Sequence, residues 1–176
     1  MIRRLAREVA LQALFQIDFK HEVELALAEA GAPADEHEEA EAAVEAAMDE
    51  HEELLAPEAV DTEEEIDKAL DRHKELGAQT ARGRVRSYAL LLVNGVMDHL
   101  AEIDSKMSEF ATDWSVERMP ATDRNILRVA VYEMLHEQPA LPAGVAINEA
   151  VEIAKSYGTD ESPRFINGVL GKLAKK

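Results

Sequence analysis

A chain of 176 residues with no cysteine and a net charge of −17 fits one domain whose core needs no disulfide, and it excludes thiolate chemistry and cysteine-ligated zinc. Charges interrupt every apolar run of the opening MIRRLAREVALQ. No apolar stretch reaches the roughly 18 residues of a membrane span, so a cytoplasmic protein is expected.

The charge is unevenly spread. His21–Glu75 holds 3 basic and 21 acidic residues, whereas Leu76–Lys176 holds 12 and 13. The first 20 residues hold four basic and two acidic.

Arg3 to about Phe19 is predicted as the first helix, rich in Ala, Leu, Arg and Gln with neither Gly nor Pro inside. Leu5, Ala6, Val9, Ala10, Ala13, Leu14 and Ile17 recur at three- and four-residue spacing. On a helical wheel Arg3, Arg7 and Arg4 fall at about 0°, 40° and 100°, so three guanidinium groups share one arc at the helix start. The helix dipole disfavours cations there.

The acidic segment from about Gly31 to Gly77 carries thin apolar stripes, Val44, Met48 and Leu55, then Ile66 and Leu70. The expectation is an acidic helical hairpin broken at Pro57, or a partly disordered helix. A run of like charge is usually a solvated face.

From Arg82 onward lies the expected core. A strongly apolar helix bearing Tyr88, Leu91, Leu92, Val93, Val96 and Leu100 is predicted to run on through Ile103, Met107 and Phe110. Trp114 falls in a connection and Pro120 marks a break. Thr122–Glu137 reads as a central, nearly buried helix. The Pro139–Pro142 turn separates it from a helix over Val145–Tyr157. Gly158 is expected to be a left-handed helix stop, followed by a Ser162 N-cap with Pro163 at the first helical position. Gly168 and Gly171, inside the last helix, are expected to allow close approach of a neighbour or a ligand. No strand pattern, hairpin signal or repeat of fixed period is present, and the fold class is all-α.

Catalytic motifs are missing. The six histidines lie at least 14 residues apart, and the chain has no HExxH, phosphate loop, dinucleotide fingerprint or GxSxG elbow. Nothing singles out an acid–base pair of carboxylates. The chain is read as a non-enzyme without metal or cofactor.

RRLAREVALQALFQIDF near the start and DRNILRVAVYEMLHEQPALPAGVAINEAVEIAKSYGTDESPRFINGVLGKL near the end resemble the NusB transcription antitermination family. The resemblance covers about Arg3–Phe19 and Tyr88–Leu173, with four motifs in the family's order. It implies two packed helical bundles in a single RNA-binding domain over residues 1–176, with residues 31–77 as an acidic insertion. It also implies binding of single-stranded boxA RNA in nascent ribosomal transcripts together with NusE, a small-subunit ribosomal protein, on RNA polymerase. The family includes monomers and dimers, which leaves a homodimer open.

Carried over residue by residue, the resemblance assigns RNA contacts to Arg3, Arg4, Arg7, Lys155, Tyr157, Arg164, Phe165 and Asn167. Arginine and lysine suit phosphates, aromatic rings suit stacking on unpaired bases, and Asn167 suits a base edge. Leu5 stands where the family is often basic. Phe165 reads equally as core, and the arginines read alternatively as partners of carboxylates such as Glu8. The NusE contact is assigned to Glu117, Arg118, Asp123 and Arg124, with Tyr132 and Glu133 in internal packing and a helix-end contact. Arg82, Arg84 and Arg86 suit RNA, but pairing with the adjacent carboxylates is favoured. The rival functions are a protein-only scaffold using the acidic segment and an accessory domain like that of an rRNA cytosine methyltransferase; the ending KLAKK without a methyl-donor domain argues against the latter.

Overall fold

The computed structural model describes residues 2–29, 61–73, 79–111, 115–136 and 141–175. The first arm of the expected acidic hairpin, Pro57, Trp114 and the start of the Pro139 turn lie outside the described residues. Those described form seven α-helices: α1 (Ile2–Glu29), α2 (Thr62–Arg72), α3 (Gln79–Asp98), α4 (Leu100–Phe110), α5 (Ala121–Leu135), α6 (Ala143–Tyr157) and α7 (Ser162–Leu173). A single 3-10 turn, Val116–Arg118, precedes α5, and no strand occurs among the described residues.

α1 runs ten residues beyond the predicted stop. With neither Gly nor Pro before Gly31, nothing in the sequence breaks it, and its 28 residues span about 42 Å. It packs against α2, α3 and α5. The described part of the expected insertion, helix α2, is a core element. Asp61 caps α2, its carboxylate accepting from Glu63 N at 2.8 Å and Glu64 N at 3.4 Å, and three glutamates in the first turn suit the positive end of the helix. Ile66, Ala69 and Leu70 are buried in the core. The glutamates and aspartates of α2 are far from idle: Arg86 pairs with Asp67 and Glu63, Arg82 with Asp71, and Lys20 with Glu65.

α5 is the central helix, as its apolar middle predicts. Every residue from Asp123 to Glu133 is buried, and α5 touches α1, α3, α4, α6 and α7. α1–α3 form one bundle and α4–α7 the other, joined by one continuous core.

The helix predicted to run unbroken through Phe110 turns at His99. His99 leaves the helical region at φ −114° and ψ 17°, and its Nδ1 lies 2.9 Å from Gly95 O. Its ring stands 4.1 Å, centroid to centroid, from that of His136, with Tyr132 alongside both.

Two expectations at the α6–α7 connection are corrected. Gly158 is extended, φ −96° and ψ −169°, so its conformation does not demand glycine. Its lack of a side chain does, since a Cβ there would sit 2.6 Å from Ser162 Cβ and 2.8 Å from Ala154 O. Ser162 does not cap α7. Its buried hydroxyl turns back to accept from Thr159 N at 2.9 Å. Among the described residues no neighbour requires Gly168 or Gly171, because nothing lies within 4 Å of where a side chain would project from either.

Candidate nucleic-acid interface

The first turns of α1 lie over α5, with α3 to one side and α6 to the other, and the three arginines of the predicted arc go separate ways. Arg3 is exposed, its guanidinium 5.1 Å from the centroid of the Tyr88 ring on α3. Arg4 turns to α6 and grips Glu149 with two hydrogen bonds, 2.9 Å from Nε and 2.7 Å from Nη2. Arg7 points down onto α5. Only 3% exposed, it pairs bidentately with the buried carboxylate of Glu133, and Tyr88 donates its hydroxyl to the same carboxylate at 2.7 Å. Burial opposes the Arg7 charge, but Glu133 outweighs it and the guanidinium is held more firmly protonated than usual.

Arg7 is therefore withdrawn from the surface it was expected to share with Arg3 and Arg4. It holds α1 to α5. The carboxylates that take up Arg4 and Arg7 are Glu149 and Glu133, and Glu8 lies instead beside Tyr157. Glu133 packs internally as expected, but as the counter-charge of Arg7 in place of a helix-end contact. Tyr132 is internal too, set over Gly95.

The hydrogen bond from Arg4, then its charge, keeps the Glu149 carboxyl below the usual carboxylate range. A carboxyl whose folded pKa is depressed contributes stability above its unfolded pKa and loses it as pH falls through the folded value. Because Arg4 is well exposed, the contribution is modest. Glu149→Gln should cost roughly 0.5–1 kcal/mol near neutral pH and progressively less as pH falls into the acid range, measured by urea unfolding across that range.

Tyr157, at the end of α6, is 37% exposed. Its hydroxyl accepts from Gln12 Nε2 at 3.3 Å and lies 3.5 Å from a Glu8 carboxylate oxygen, which fixes the ring beside α1. Burial, then the Glu8 charge, pushes the phenol up. Lys155 is exposed and pairs with Glu152 at 2.6 Å. On α7, Arg164 and Asn167 are exposed, while Phe165 is partly buried against the core. Helices α1 and α6 thus bring Arg3, Arg4, Lys155 and Tyr157 to one region, and α7 adds its residues through its packing on α6.

The expected partner face divides. Glu117 and Arg118, on the 3-10 turn, are exposed. Asp123 and Arg124 are buried, at 5% and 8% exposure, and Arg124 is committed to Asp18 at 2.9 Å and Glu22 at 3.1 Å. Asp18 also accepts from Asn125 and Arg128, and Arg128 reaches Asp104 at 2.8 Å, so these charges clamp α1, α5 and α4 together.

The family model described as NusB family matches residues 58–175. The chain belongs to the NusB family. The transcription antitermination protein NusB of Desulforapulum autotrophicum is 39% identical over 171 residues, 97% of this chain and 90% of that one. NusB of Geotalea uraniireducens is 47% identical over 97 residues, 55% of this chain and 66% of that relative, just under two thirds of its length. A chain in the crystal structure of antitermination factors NusB and NusE in complex with dsRNA superposes with a TM-score of 0.65 at 21% identity, covering 99% of this chain and 96% of that one. The described residues thus share the fold of that chain. Leu5, where the NusB family is often basic, rests partly buried against the core. Tyr88, Glu133, Glu149 and Gln12 organise the region and were not marked as site residues from sequence, because their partners lie up to 145 residues away.

Proposed function

We propose that this chain is a transcription antitermination factor that binds boxA-type RNA of nascent ribosomal transcripts together with NusE, within a complex on RNA polymerase in the cytoplasm, and that it does so as a single RNA-binding domain without catalysis. One observation carries the reading: a chain alike over nearly its full length to transcription antitermination proteins sets exposed Arg3 and Arg4 at the start of α1 and clamps Tyr157 against the same helix one to two turns further along. Arg3, Arg4, Lys155 and Arg164 supply cations for phosphates, Tyr157 and the outer edge of Phe165 supply surfaces for bases, and Asn167 supplies an edge donor and acceptor. Glu117 and Arg118 supply the accessible part of the NusE contact. Among the described residues no helix is long and apolar enough to cross a membrane, and no group of three or more potential metal ligands occurs.

Arg4 and Lys155 meet RNA already paired with carboxylates, so phosphates must displace Glu149 and Glu152. Binding is therefore selective against weak polyanions and steep in salt, with about 0.7 of slope for each phosphate contact to a single strand. Anisotropy of labelled boxA RNA against a scrambled RNA, with and without NusE at fixed salt, tests the reading. Preference for boxA, sharpened by NusE and weakened by Arg3→Ala with Arg164→Ala, is the expected outcome. Equal, negligible binding of both RNAs with NusE present overturns it.

A further inference from the structure

The arginines of α3 divide by face. Arg82 and Arg86 turn to α2 and are held by Asp71, Asp67 and Glu63. Arg84, set between them in sequence, is exposed and makes no ion pair among the described residues. It lines instead an open hollow with Gly83, Ser87, Tyr88 and Leu91. Among the described residues nothing lies within 4 Å of where a side chain would project from Gly83, so a ligand backbone has room to approach the helix there. Ser87 spends its hydroxyl proton on Gly83 O at 2.9 Å, which leaves its oxygen as an acceptor toward the hollow. Leu91 is 44% exposed and supplies an apolar floor.

The hollow adjoins the start of α1 through Tyr88. That ring is held by its hydroxyl on Glu133 at 2.7 Å and carries the Arg3 guanidinium over it at 5.1 Å. One arginine therefore stands over the ring and another beside it, in a chain of net charge −17. A polyanion fits that frame, whereas a second copy of the same hollow would be repelled by it.

We propose that the α3 hollow is a second RNA contact, in which Arg84 takes a phosphate of the nucleotides flanking the recognised element and Tyr88 with Leu91 offers an apolar surface to a flanking base. This rests on the RNA-binding reading above. The test uses the intact chain and two RNAs, a boxA-type element alone and the same element with single-stranded flanks, titrated at several salt concentrations. Arg84→Ala should weaken binding of the flanked RNA roughly three- to tenfold and lower its salt slope by about 0.7, and should leave the unflanked RNA unchanged. Arg82→Ala, whose guanidinium is held by Asp71, should change neither.

If Arg84→Ala binds flanked RNA like the wild type while Arg3→Ala does not, the hollow is no RNA contact and the main surface stands. If Arg84→Ala weakens capture of NusE and spares both RNAs, the hollow belongs to a protein partner and the proposal fails. If the wild type binds neither RNA, the RNA-binding reading itself falls.

Discussion

Glu133→Gln should lower stability by about 3–5 kcal/mol, because it leaves the buried Arg7 guanidinium without its main counter-charge. In a chain of this size that is a fall in melting temperature on the order of 6–20 °C. Gln keeps the volume and one carbonyl, so packing is almost unchanged and the loss is electrostatic. The amide also disrupts the acceptor that Tyr88 uses at 2.7 Å. Glu149, 3.4 Å from Arg7 Nη1, softens the loss and sets the lower end of the range. Urea unfolding of wild type, Glu133→Gln, and the double variant Arg7→Met with Glu133→Leu separates the terms. The double variant removes both charges and should recover most of the stability, since replacing a buried pair by apolar groups of similar size is often neutral. A Glu133→Gln protein within about 1 kcal/mol of wild type would show that the pair does not hold α1 to α5.

Gly95→Ala is the second large effect, and its sign runs against helix propensity. Alanine in a helix interior is normally worth about 1 kcal/mol over glycine. Here a methyl group would land within the Tyr132 ring, on Cζ, Cε2 and the hydroxyl oxygen. Tyr132 would have to swing away, taking with it the ring contacts to His99 and His136. A net loss of about 1–3 kcal/mol is expected, as for other overpacked cores. In a Tyr132→Leu background the clash is relieved and the same substitution should cost less or reverse sign. Equal cost in both backgrounds would place the strain elsewhere.

Where the sequence was sufficient, the signal was periodic and local. The middle of α5, NILRVAVYEML, is apolar over most of its circumference, which marks it as central. α2 was under-read because two apolar side chains, Ile66 and Leu70, look like a thin stripe on a solvated helix. They suffice when α1 and α3 close over them. Asp61, with Glu64 three residues on, was a legible start signal for α2. α1 runs past the predicted stop near Phe19 because no Gly or Pro interrupts the chain before Gly31.

The site was legible by residue type and less so by fate. A helical wheel puts Arg3, Arg7 and Arg4 on one arc, but it cannot say that Glu133 waits beneath the middle one. Likewise Asp123 and Arg124 look like a charged helix start open to a partner. Asp18 and Glu22, more than 100 residues earlier, draw Arg124 inward. The break at His99 carries no proline or helical stop signal. There His99 Nδ1 lies 2.9 Å from Gly95 O, and the Tyr132 ring rests against Gly95, the latter a contact between residues too far apart in sequence to read from a local pattern.

The bond between Arg7 and Glu133 spans 126 residues of chain, and this has a consequence for synthesis on the ribosome. At roughly 5–20 residues per second, the N-terminal helix exists for about 6–25 s before its carboxylate partner has been made. During that interval its apolar face, with Ala6, Val9, Ala10 and Leu14, has only α2 and α3 to rest on. The nascent chain thus carries an amphipathic helix only partly covered until α5 emerges to close the core.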